Sequence, residues 1–228
     1  PPRRETGIGE SSVALVEEKR IAAGVTLKLL AGGFSGLSLE IALVGHAIAG
    51  ARPHVAHVEI AVAIAHGYGR AAGKPMVAFV HDIVGLLHAS MAMFNAWMAR
   101  EGVLVLGGTG PVDANHRRPW IDWIHTANVQ GNAVRDFVKW DDQPASAEAA
   151  VESLIRGYHL VNTEPKGPVY ICFDTDVQEG KLDKPFEMPD FSAFAPPTRF
   201  NADPDGLDHV AGLLMAAKNP AIIADFLG

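Results

Sequence analysis

Along the 228-residue chain, uninterrupted apolar runs of strand length alternate with longer stretches whose apolar positions recur at helical spacing. That alternation predicts an α/β domain with a largely parallel sheet, because strands covered by helices on both faces read as continuous apolar runs. Residues 11–24, SSVALVEEKRIAAG, predict a helix with Ser11 or Ser12 as N-cap and Gly24 just past its end. A strand is expected at 25–31, a second helix near 37–46, and a third from about Val58 to Gly73. PMVAFVH (75–81), GVLVLGG (102–108) and GPVYICFD (167–174) are bounded by Gly, Pro or charge and read as central strands. Between the first two, residues 85–100 have helical spacing, and their Met and aromatic stripe reads as core.

Residues 183–205 are rich in proline and acid, have no periodicity, and read as a linker. Residues 206–228 hold one amphipathic helix and one short apolar strand, too little to form a core alone. The expected organisation is therefore a domain over 1–182, a linker over 183–205, and over 206–228 the incomplete start of a middle domain.

Composition narrows the function. Nearly half the residues are hydrophobic (48%), enough for a substantial core, and the net charge of −7 argues against nucleic acid as a partner. The single cysteine, Cys172, excludes an internal disulfide and suits a reducing, cytoplasmic setting; within GPVYICFD it reads as a buried strand thiol. The start PPRRETGIGE has no apolar stretch behind its arginines, so no signal peptide is expected. The apolar stretch 24–50 is interrupted by Lys28, Glu40 and His46, so no membrane span is expected.

Several motifs fail on chemistry. AAGKPM has Pro75 where a phosphate loop needs Ser or Thr. GGTG at 107–110 develops no dinucleotide fingerprint. His54, His57 and Glu59 lie on an extended approach to a helix with no third partner in suitable geometry, so no metal ligand is assigned in this chain.

The run HVEIAVAIAHGYGRAAGKP (57–75), the segment FVHDIVGLLHASMAMFNAW (79–97), VLVLGG (103–108) and VRDFVKW (134–140) together resemble the N-terminal pyrimidine-binding domain of thiamine diphosphate enzymes of the acetolactate synthase and benzoylformate decarboxylase group. The resemblance covers about 11–180, and the last segment looks like the opening of that family's middle domain. It implies a three-layer thiamine diphosphate-binding fold over 1–182, a homodimer or homotetramer or a separate diphosphate-binding chain, and a small 2-oxo acid or diketone as substrate. The implied cofactor is thiamine diphosphate with Mg2+ held by a domain outside this chain; flavin is an option that no residue supports. The family's Gly-Asp-Gly magnesium motif does not occur in the 228 residues, so the chain alone is expected to bind the cofactor weakly or not at all.

Residue by residue, the Gly-x-Pro-Gly turn of the family falls on Gly33 to Gly36, with Ser35 at the usual proline. With Gly67, Tyr68 and Arg70 in register, the family's activating glutamate falls on Val58. That carboxylate hydrogen-bonds the cofactor's aminopyrimidine in the family, and a valine cannot; glyoxylate carboligase resembles this chain in placing valine there. Glu59 is the candidate substitute, with a helix first-turn carboxylate as the plainer reading. His81 and Asp82 resemble the His-Ser pair of the decarboxylase branch, so His81 is the candidate catalytic acid or base, with a backbone-satisfied histidine as the alternative. Cofactor contacts are implied for Ser35, Gly36, Val58, Gly85 and His88. Residues 117–134, with Trp120, Trp123 and His125, read as subunit interface or active-site wall, and Thr126 falls where the synthase branch often has glutamine.

Overall fold

In the computed structural model, residues 40–42, 58–182, 189, 194 and 201–225 are described. Three apolar runs form the centre of a sheet: β2 (Met76–Phe79), β3 (Val103–Thr109) and β5 (Val169–Asp174). Short strands β1 (Glu40–Ala42) and β4 (Trp140–Asp142) flank them, giving the order β1-β2-β3-β5-β4 with every pairing parallel. Ser35 and Gly36, and the helix and strand expected at 11–24 and 25–31, lie outside the described residues.

Side-chain alternation along each strand builds two cores. Met76, Ala78, Val103, Val105, Tyr170 and Cys172 face one side, where they meet Ala61, Val62 and Ala65 of α1 (Val58–Ala72) and Leu86, Ala89, Met93 and Ala96 of α2 (Ile83–Met98). Val77, Leu104, Leu106, Val169, Ile171 and Phe173 face the other side, against Ala150, Leu154 and Val161 of α4 (Ala147–Asn162). The result is three layers, helix on sheet on helix. A right-handed crossover accounts for the split: β2-α2-β3 steps across the sheet in one direction and β4-α4-β5 in the other, so their helices cover opposite faces.

Local signals set several boundaries. Gly73, at φ 67°, ends α1 with its N–H on the Gly69 carbonyl, a left-handed cap that glycine adopts without strain. Ser146 caps α4 by accepting the Ala149 N–H at 3.1 Å. At the other end of α4, Lys139 Nζ donates to the Leu160 and Thr163 carbonyls at 2.7 and 2.5 Å. Burial holds the Lys139 ammonium below its usual range.

Two expectations need correction. The helix expected near 37–46 contains strand β1 instead: Glu40, Ile41 and Ala42 pair in register with Met76, Val77 and Ala78, so an available sheet edge outweighs weak local periodicity. The apolar strand expected after residue 216 does not form among the described residues; 221–225 have no regular structure. Thr198–Gly228 is a separate compact unit from Pro1–Pro197. Within it, a helix over Pro204–Ala216 starts at Asp203, whose carboxylate accepts the Gly206 N–H, and leaves Leu207, Val210 and Leu213 exposed.

Candidate active site

Parallel sheets bind ligands beyond the carboxyl ends of their strands. Here that edge is made by the turn after β2, the end of β3 and the first turns of α1 and α2.

The chain leaves β2 through Val80, whose N–H is held by the Leu106 carbonyl at 2.9 Å, and reaches His81 and Asp82 before α2 starts. Asp82 occupies the N-cap of α2, yet its side chain makes no capping bond. Its carboxylate lies instead against the end of β3, where a Cβ on Gly108 would come within 2.8 Å of Oδ1. A Cβ there would make the carboxylate shift. Burial raises the pKa of Asp82 above the usual carboxylate value, while His81 and His125 nearby oppose the shift.

His125 reaches the same place from a loop. The short helix α3 (Asp122–His125) is held by the buried carboxylate of Asp122, which accepts the Arg118 N–H at 2.6 Å and its guanidinium at 3.0 to 3.3 Å. Arg118 accordingly holds Asp122 below the usual carboxylate range. The loop is tied to β3 by the Gly110 N–H on the His125 carbonyl and by the Ala127 N–H on Thr109 Oγ1. His125 Nδ1 lies 3.0 Å from the Ile121 carbonyl. A carbonyl only accepts, so Nδ1 carries the proton and Nε2 keeps its lone pair in the neutral ring. The His81 and His125 rings meet edge to face with centroids 5.2 Å apart.

A third support lies beneath. Tyr170 Oη donates to Gln130 Oε1 at 3.0 Å, and Gln130 Nε2 donates to the Gly108 carbonyl at 2.7 Å, all within the core. Burial pushes Cys172 on the same strand up to about 12, which makes it an inert structural thiol.

The other residues singled out in the sequence fall beside this cluster. Val58 is the first residue of α1, half-buried against the core. A Cβ on Gly85 would lie 2.9 Å from His81 Cβ and 3.6 Å from Val58 Cγ1, so Gly85 lets the first turns of α1 and α2 close up. Glu59 points elsewhere: its Oε2 lies 3.2 Å from His88 Nδ1, an exposed pair that links the two helices. Thr126 Oγ1 donates to the Asp122 carbonyl at 2.6 Å and so serves the loop. His81, Val58 and Gly85 thus come together, Glu59 and His88 pair alongside, and His125 joins His81. Sequence reasoning left His125 as wall or interface and did not use the one available signal for a fixed loop there, the four-residue spacing of Arg118 and Asp122.

Residues 52–134 match the family model for the thiamine pyrophosphate enzyme N-terminal, thiamine pyrophosphate-binding domain. Over that stretch the chain is similar to the pyrimidine-binding domain of the thiamine diphosphate enzymes. The domain is similar to benzoylformate decarboxylase from Polynucleobacter necessarius, with 25% identity, a TM-score of 0.60, and coverage of 72% of this chain and 29% of that one. It also shares its fold with the thiamine diphosphate-dependent 4-hydroxybenzoylformate decarboxylase of Rhodococcus jostii RHA1, with 20% identity, a TM-score of 0.64, and coverage of 88% and 38%. The chain therefore spans about a third of the length of these structures. No helix among the described residues is long and apolar enough to cross a membrane.

The domain's residues fit an aminopyrimidine as a wall. Val58 offers a half-buried apolar surface at a helix start, and Gly85 keeps that surface close to His81. What Val58 does not offer is a hydrogen-bond acceptor.

Proposed function

We propose that this chain supplies the pyrimidine-binding half of an enzyme that breaks or forms a carbon-carbon bond beside the carbonyl of a 2-oxo acid or diketone, with 2-oxo acid decarboxylation the favoured reaction. The observation that carries this reading is His81, at the carboxyl end of β2, backed by Asp82 and in ring contact with His125. Thiamine diphosphate, when bound, supplies an electron sink for the carbanion of such reactions. Val58 and Gly85 would form its pyrimidine wall, with Ser35, Gly36 and His88 as further contacts.

The chain's own residues then divide the work. His81 takes or gives a proton at a ring nitrogen on the exposed rim. Gly108 and the Gln130 support keep the β3 end still. Glu59 is the candidate replacement for the carboxylate missing at Val58, through its link to His88.

The missing carboxylate favours two second readings: a carboligase of the glyoxylate type that works without the glutamate, and a partner or regulatory module that keeps the fold but not activation. Assembly as a homodimer or homotetramer, or with a separate diphosphate-binding chain holding Mg2+, is supported by the exposed apolar surface of α1 and α2. A cytoplasmic setting is supported by the lone, buried Cys172.

The deciding experiment uses the chain assembled with its diphosphate-binding module, assayed on aromatic and aliphatic 2-oxo acids. His81→Ala is expected to lower kcat by about 10²- to 10⁴-fold, the range for a positioned acid or base, while the melting temperature holds. A near-normal rate per folded enzyme with lowered melting would return His81 to a structural role. No turnover by the unaltered assembly on any 2-oxo acid would favour the non-catalytic reading.

A further inference from the structure

The cluster at the β2 and β3 ends has a composition that proton transfer alone does not explain. One ligand atom each from His81, Asp82 and His125 lies within 4.8 Å of the others. Two imidazoles and one carboxylate are the donor set that first-row transition ions take with coordination positions left open.

Three independent features prepare this set. Asp82 stands at a helix N-cap, where its carboxylate would ordinarily bond an N–H of the helix's first turn, and it makes no such capping bond. Gly108 leaves the space into which that carboxylate turns. His125 gives its Nδ1 proton to the Ile121 carbonyl, which fixes the tautomer with Nε2 as the donor atom, the arrangement typical of metal-bound histidines. The loop presenting His125 is itself fixed by the Arg118–Asp122 pair.

We propose that His81, Asp82 and His125 form a binding site for one late first-row divalent cation such as Zn2+. Ligand atoms around a tetrahedral ion bound at about 2.0 to 2.1 Å stand roughly 3.3 Å apart. Closing the present spread to that requires side-chain rotation, and His81 is exposed at the rim. Three protein ligands leave a position for water or a substrate oxygen. Binding occupies the lone pair with which His81 would accept a proton, so a bound cation and proton transfer by His81 exclude one another. The site itself does not depend on the thiamine diphosphate reading, because it is built from this chain's side chains alone.

The test is calorimetric titration of the full chain with Zn2+, with no cofactor or substrate present, and a parallel titration with Co2+ followed by its visible absorption. One equivalent is expected to bind, with visible bands for a low-coordinate ion. His125→Ala and the near-isosteric Asp82→Asn are each expected to weaken binding by at least about tenfold. His116→Ala is the control, because His116 pairs with Asp176 at a separate place and its loss should leave the affinity unchanged. Melting curves of each variant establish that it is folded, and Asp82→Asn keeps the test open if His125→Ala does not fold. Absence of stoichiometric binding, or binding that survives both His125→Ala and Asp82→Asn, overturns the proposal.

Discussion

Helices α2 and α4 have the same length, 16 residues, and cover opposite faces of one sheet, yet they are built to different rules. The outer face of α4 carries Glu148, Glu152 and Arg156 at four-residue spacing, and its start is capped by Ser146 with an acid in the first turn. The cap, the first-turn acid and the charged outer face favour a helix facing water. α2 has no acidic or basic residue in its first or last turn, no side-chain cap, and an outer stripe of Val84, Leu87, Met91, Phe94 and Met98. Natural sequences break local rules where function requires it. Here the uncapped end of α2 lies beside His81 and Asp82, at the proposed site, and its outer stripe is apolar and exposed.

The contrast can be broken from either side. Leu154 is buried between α4 and the sheet, so Leu154→Ala should cost about 2 to 5 kcal/mol in chemical denaturation. Leu87→Ala on the exposed stripe should stay within about 0.5 kcal/mol for the protomer while weakening assembly in sedimentation measurements. Equal losses at both positions would end the distinction between a water-facing and a protein-facing layer.

The loop that brings His125 to α2 is held by an ion pair as well as by its bonds to β3. Arg118→Ala leaves the Asp122 carboxylate buried with only its backbone partner and should cost about 1 to 3 kcal/mol. The pH dependence has a definite sign. Asp122 is held below its ordinary 3.8, so its contribution is full above 3.8 and is lost as pH falls through the lower folded value. Asp122→Asn should flatten that acid limb. Asp82 has the opposite shift, so Asp82→Asn should leave neutral-pH stability equal or higher. Melting curves from pH 2 to pH 7 check both.

The smallest effect concerns the caps. Ser146→Ala should cost about 1 kcal/mol through the lost bond to Ala149, whereas Asp82→Ala removes no cap and should cost less. If Asp82→Ala costs as much as Ser146→Ala, Asp82 serves its helix after all.

Much of this architecture was open to sequence reading. The three central strands are continuous apolar runs because they are buried on both faces, and the limits of α1 follow from its periodicity and Gly73. α4 carries strong local helix signals, and the sequence reading nevertheless leaves it unassigned; that omission has no physical excuse. β1 was hidden for a physical reason: three residues become a strand only because β2 offers an edge. At the site, His81 and Val58 were marked by their positions in a family pattern. Their meeting with His125 was not legible, since it depends on how a loop folds around Asp122 and on the space left at Gly108.

The central claim is that Val58, at the start of α1, stands where the cofactor's pyrimidine is activated. The direct measurement is exchange of the thiazolium proton in the complete assembly, followed by quenched-flow NMR, for the unaltered protein and Val58→Glu. A charge-assisted hydrogen bond in a dry site contributes about 1.5 to 3 kcal/mol, so exchange should quicken at least about tenfold, whether or not turnover rises. An unchanged exchange rate would contradict the claim and assign activation to Glu59 or another group.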